Sequence, residues 1–88
     1  MSPVTILGVL ILTQENCDFC DSAEAILEQL SREYPLSVST LSLESAAGQQ
    51  LADKGGIRFP PGIFLDGEPC CYGRPSEGRL RREIERRL

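Results

Sequence analysis

The chain has 88 residues, of which 41% are hydrophobic and 25% charged, with four cysteines, no histidine and a net charge of −4 at pH 7. That length suits one domain spanning 1–88, and the balance of residue types excludes a disordered or fibrous chain. Nine bases against thirteen acids argue against a nucleic-acid partner, which needs a basic face, and no segment reaches the 18 apolar residues of a membrane span. The charge is unevenly spread, −6 over residues 1–54 and +2 over 55–88. The basic end reads as a solvated last helix whose arginines suit a helix C-terminus.

Val4 to Thr13 is rich in Val, Ile and Leu without clean alternation, as expected of a strand covered on both faces. No Lys or Arg precedes it and no small-residue cleavage site follows, so it reads as a strand of a cytoplasmic protein rather than a signal peptide. From Asp18 to about Tyr34, Ala23, Ile26, Leu27, Leu30 and Tyr34 fall at helical spacing, and Pro35 stops the helix. Leu36, Val38 and Leu41 in a Ser/Thr-rich run predict a second strand, parallel to the first through a βαβ unit. Ser45 to Lys54 is a short helix stopped by Gly55-Gly56. Ile63-Phe64-Leu65, Asp66-Gly67 and Cys70-Cys71-Tyr72 read as strand, tight turn and strand. Ser76 caps a final helix with Leu80, Ile84 and Leu88 on one face. The predicted order is β-α-β-α-β-β-α.

Cys17-Asp18-Phe19-Cys20 falls where the first strand gives way to the first helix. A thiolate, not a thiol, attacks a disulfide, and the unpaired N–H groups and positive dipole of a helix N-terminus stabilise that anion. Cys17 is so placed, and Asp18 opposes the effect with a nearby negative charge. Cys20, one turn on, is within reach to attack a mixed disulfide on Cys17 and release the reduced substrate. A C-x-x-C is also half of a zinc site. Completing one would need two more ligands, and the chain offers only Cys70-Cys71, whose side chains should point to opposite faces of a strand, so no metal is expected.

These residues resemble the thioredoxin-fold family, and within it the glutaredoxin-like branch. Val9-Leu10-Ile11-Leu12-Thr13 with Cys17-Asp18-Phe19-Cys20 looks like the family's first strand and active-site turn. Phe59-Pro60-Pro61-Gly62-Ile63-Phe64-Leu65-Asp66-Gly67-Glu68 is similar to its proline loop, third strand and hairpin, and Gly73 with Ser76-Glu77-Gly78-Arg79-Leu80 to its closing glycine and last helix. The resemblance implies an α/β thioredoxin fold, a four-stranded mixed sheet flanked by helices. It places the family's cis-proline on Pro61, facing the Cys17–Cys20 pair.

The chain also departs from the pattern. The residue before the cis-proline usually offers both N–H and C=O to a bound peptide or glutathione, and Pro60 has no N–H. Either that pairing is weaker here, or Pro60 is the cis residue and the register moves by one. Thioredoxins carry a tryptophan and a buried acid where this chain has Asn16 and Ile11, and proline where it has Asp18. Glutaredoxins carry a lysine where it has Gln14, and a Gly-Gly-x-Asp-Asp run where it has Gly73-Arg74-Pro75-Ser76. Arg58 and Arg74 are candidates to receive a carboxylate.

Together these features predict a thiol–disulfide oxidoreductase, a glutaredoxin-like or thioredoxin-like disulfide reductase. Cys17 is its nucleophile and Cys20 the resolving thiol, and Phe59, Pro60, Pro61, Tyr72, Gly73 and Arg74 form the substrate groove. It should bind no cofactor, take electrons from a dithiol reductase or glutathione, and act as a monomer on protein or low-molecular-weight disulfides. A non-catalytic binding module on the same fold is the alternative. Cys70-Cys71 lies outside the family pattern; one thiol is expected to face the core, and a second redox step or a dimer link would fall to the more exposed one.

Overall fold

The computed structural model describes residues 5–88. Val4, predicted to open the first strand, lies outside them. The elements are β1 (Leu7–Thr13), α1 (Asp18–Leu30), β2 (Leu36–Ser42), α2 (Ala46–Gly55), β3 (Gly62–Leu65), β4 (Glu68–Tyr72) and α3 (Glu77–Arg87). The sheet order is β2-β1-β3-β4, with β1 parallel to β2 and antiparallel to β3, and β3 antiparallel to β4. This is the predicted α/β order with a mixed sheet.

β1 shows why its sequence lacks alternation. Leu7, Val9 and Ile11 enter a core cluster with Ala23, Leu27 and Leu30 of α1 and Leu80 and Ile84 of α3. Leu12, with Leu10 packed alongside, enters a second cluster with Phe64 and with Ala52 of α2. Successive strand residues point to opposite faces, so a strand buried on both must be apolar throughout. The edge strand β2 has less to bury: only Leu36 and Leu41 pack against the clusters, and Val38 is 40% exposed.

Two boundaries differ from the sequence reading. α1 ends at Leu30 rather than near Tyr34. Arg32 and Glu33 donate N–H bonds three residues back, to Gln29 and Leu30, tightening the chain into turns, and Tyr34 reaches the core from there. The residue before a proline is driven away from helical geometry, so Pro35 acts one residue ahead of itself and the helix unwinds earlier still. Leu88, predicted to share a face with Leu80 and Ile84, sits past the end of α3 and is 45% exposed. The arginines of α3 are not simply solvated either. Arg81 grips Glu33 through two bonds of 2.7 and 3.0 Å and bonds Tyr34, tying α3 to the turn after α1.

The turns follow residue chemistry. Asp66 and Gly67 take φ of 49° and 82°, the paired left-handed geometry of a two-residue hairpin turn. The Asp66 carboxylate then accepts the Gly8 N–H at 2.8 Å, fixing the hairpin against β1. Ser45 caps α2 by accepting the Gly48 N–H at 2.9 Å, and Gly56 ends it at φ 67°.

Gly48 gives a prediction of unusual sign. Gly to Ala inside a helix ordinarily stabilises by about 1 kcal/mol. A Cβ at Gly48 would overlap the Ser42 carbonyl oxygen and stand 2.9 Å from its carbon, both backbone atoms at the end of β2. Gly48→Ala should therefore destabilise by about 1–3 kcal/mol, as forced overpacking does. Chemical denaturation of the oxidised protein measures it, and a rise in midpoint would contradict the packing.

Candidate active site at the head of the first helix

β1 ends at Thr13, and Gln14 to Asn16 carry the chain to α1, with Asn16 at φ 55° in the left-handed region that asparagine tolerates. The next residue, Cys17, is the N-cap of α1. Its backbone is extended (φ −115°, ψ 103°) and its Sγ accepts the Cys20 N–H at 3.1 Å. The first N–H groups of a helix have no partner within it, and here a sulfur takes the place of the usual capping hydroxyl. An acceptor sulfur is better served as a thiolate, so the cap and the helix dipole act in the same direction.

The two sulfurs differ in access. Cys17 is partly exposed, whereas Cys20 is 2% exposed and is, with Ala23, Leu27 and Leu30, one of the buried residues of α1. Their Cα atoms are 5.2 Å apart and the side chains are joined as a disulfide. One turn of helix supplies that separation, which lies in the middle of the range a disulfide bridges.

The proline segment reaches the same end of the sheet. β1 and β3 pair Leu12 with Gly62, so Pro61 stands beside the end of β1 from which the Cys17 turn departs. Pro61 is fully buried, its peptide bond to Pro60 is cis, and its carbonyl accepts the Gly73 N–H at 2.9 Å. Tyr72 pairs with Gly62, and its ring lies 6.2 Å from that of Phe59. Phe59 and Tyr72 are 63% and 41% exposed. The structure thus brings together Phe59, Pro60, Pro61, Tyr72 and Gly73. Arg74 and Arg58 are exposed and make no ion pair among the described residues. Phe19, inside the C-x-x-C, was not singled out by the sequence reading, yet it is 47% exposed. Helical period alone would not have found it, since Phe19 stands four residues before Ala23 on the same face; the available signal was its place between the two cysteines in the first turn.

Cys70 and Cys71 correct the expectation of opposite faces. The β3–β4 register shifts between Ile63 and Phe64: Ile63 pairs with Cys71 but Phe64 with Pro69, which leaves Cys70 as the extra residue of a β-bulge. Both cysteines are free, half-buried and packed against the same core cluster. Strand alternation fails because a bulge adds a residue without a partner. Among the described residues, no three Cys, Asp or Glu side chains gather into a group that could hold a metal, and no helix is long and apolar enough to cross a membrane.

No protein-family model matches the chain. It is similar to a probable thioredoxin of Archaeoglobus fulgidus, 28% identical over 76 residues that span 86% of this chain and 84% of the relative. It is also similar to a thioredoxin of Methanocaldococcus jannaschii, 27% identical over 78 residues that span 89% and 92%. Among solved structures, a mutant thioredoxin from Halobacterium salinarum superposes with a TM-score of 0.71 at 25% identity, over 91% of this chain and 73% of that one. The oxidised thioredoxin of Plasmodium falciparum superposes with a TM-score of 0.67 at 17% identity, over 92% and 80%.

Proposed function

We propose that the chain is a thioredoxin-fold oxidoreductase that exchanges disulfides through its Cys17-x-x-Cys20 pair, with Cys17 the nucleophile and Cys20 the resolving thiol. The similarity to thioredoxins and the disulfide between the two cysteines support this reading. The Cys17 thiolate attacks one sulfur of a substrate disulfide, forming a mixed disulfide and expelling the first substrate thiolate. Cys20 then loses its proton and attacks the Cys17 sulfur, and the second substrate thiolate leaves. Two electrons have passed to the substrate, and the Cys17–Cys20 disulfide remains for a dithiol donor to reduce.

The observation that carries this reading is the asymmetry of the pair: the partly exposed sulfur caps the helix and the buried one stands a turn behind it. Phe59, Pro60, Pro61, Tyr72, Gly73 and Arg74 form the surface on which the substrate rests, with the Phe59 and Tyr72 rings as its apolar walls. That surface suits an extended protein segment better than glutathione. Pro60 contributes no N–H, and Gly73-Arg74-Pro75-Ser76 stands where glutaredoxins carry their acidic run. A dithiol reductase is therefore the donor we favour over glutathione, and the domain works as a cytoplasmic monomer without a bound cofactor.

The role of Cys17 is tested by reducing the protein and treating it with less than one equivalent of iodoacetamide. Insulin-disulfide reduction should fall in proportion to the label mapped to Cys17, and label confined to Cys70 or Cys71 should leave activity intact. Full activity with Cys17 blocked would overturn the assignment. Assays driven by a thioredoxin reductase and by glutathione distinguish the donors.

A further inference from the structure

The bulge in β4 creates a second thiol site that the exchange at Cys17 does not use. It turns Cys70 and Cys71 to one face of the sheet, against the cluster that holds Ile63, Leu80 and Ile84. Beside them opens a cleft of about 570 Å³ lined by Ile57, Tyr72, Arg79 and both cysteines. The Arg79 guanidinium donates to the Cys70 carbonyl at 3.3 Å and makes no ion pair among the described residues. Two free thiols, space for a small molecule and a guanidinium without a carboxylate partner among the described residues thus share one opening.

We propose that Cys70 is a second exchange site, which takes up a small carboxylate-bearing disulfide as a mixed disulfide in this cleft, with Arg79 receiving the carboxylate. The Cys70 thiolate attacks one sulfur of the small disulfide. A Cys70–sulfur bond forms, the old sulfur–sulfur bond breaks, and the other half leaves as a thiolate that takes a proton from water. One disulfide is exchanged for another, and excess small thiol reverses the step. Arg suits the ligand's carboxylate because its planar fork can make two parallel bonds to it.

The surroundings favour the thiolate on Cys70 rather than Cys71. The neighbouring Cys71 thiol lowers the Cys70 pKa to about 7, helped by Arg87 and Arg79 and opposed by burial and Glu83. The Cys70 sulfur and burial push Cys71 well up. Cys71 therefore stays protonated beside its neighbour. A disulfide between the two is disfavoured, since adjacent residues in extended backbone cannot reach disulfide geometry without distortion.

The test uses the protein with Cys17–Cys20 oxidised, so that only Cys70 and Cys71 are free thiols. Incubation with glutathione disulfide should give one adduct per chain by intact mass, mapped to Cys70 by peptide analysis. Cys70→Ser should give none. Cys71→Ala should keep the adduct but form it about threefold more slowly at pH 7, since the loss of thiolate is partly offset by greater intrinsic nucleophilicity. Arg79→Ala should slow the reaction with glutathione disulfide more than that with neutral hydroxyethyl disulfide, which loses only the small help Arg79 gives the thiolate. An adduct on Cys71, loss of both thiols without an adduct, no reaction in the unsubstituted protein, or equal effects of Arg79→Ala on both reagents would each overturn the proposal. None of these outcomes depends on the roles of Cys17 and Cys20.

Discussion

Cys20→Ser should hold its substrate: mixed with insulin or another protein disulfide, the reduced variant accumulates a covalent adduct through Cys17, visible on a non-reducing gel and released by dithiothreitol. The reason is positional. Cys20 sits 2% exposed behind the sulfur that caps α1, where it reaches the Cys17 sulfur and no external thiol easily replaces it. Serine fits the same space but is no nucleophile toward sulfur at neutral pH, so the second half of the exchange stops. Cys17→Ser should instead form no adduct and reduce insulin at the background rate of the donor thiol, because the remaining sulfur of the pair is buried. A serine at position 17 still caps the helix, being a preferred N-cap residue, so the fold is kept while the chemistry is lost. Trapping by Cys17→Ser rather than Cys20→Ser would reverse the assignment.

Leu27→Ala should cost about 2–5 kcal/mol, the loss of a fully buried leucine plus the cavity it leaves. Leu27 has no exposed surface and belongs to the cluster formed by β1, β3, α1 and α3. A domain of 88 residues holds about 4–13 kcal/mol in all, so the variant loses a large part of its stability. For a loss of 3 kcal/mol the melting temperature should fall by about 10–25 °C. Val38→Ala on the exposed edge strand is the matched control and should change stability by less than about 0.5 kcal/mol. Thermal unfolding of both oxidised variants decides the matter, and similar melting temperatures would mean that the core is not where the structure puts it.

Most of the site was legible because its signals are local. Capping residues, a proline after a helix and an Asp-Gly turn each act within a few residues, so Cys17 at the head of α1 and the β3–β4 hairpin could be read directly. The end of α1 was misplaced because helical spacing persists to Tyr34, while the hydrogen bonds that close the helix act earlier. The faces of Cys70 and Cys71 were misplaced for another reason. A bulge is a property of two strands, and nothing in Glu68-Pro69-Cys70-Cys71-Tyr72 alone announces that Phe64 will pair with Pro69.

The amino-acid sequence by itself determined the element order, the parallel β1–β2 pairing, the hairpin turn and the sulfur at a helix N-terminus. Each of these follows from backbone chemistry or apolar period over a short stretch. Only the tertiary structure decided which of the paired sulfurs is exposed, that Gly48 meets the end of β2, and that Cys70 and Cys71 share a face with Arg79. Those facts depend on how each element sits against its neighbours in space rather than on its own period, and a one-residue slip in strand pairing would change every one of the contacts made by β4.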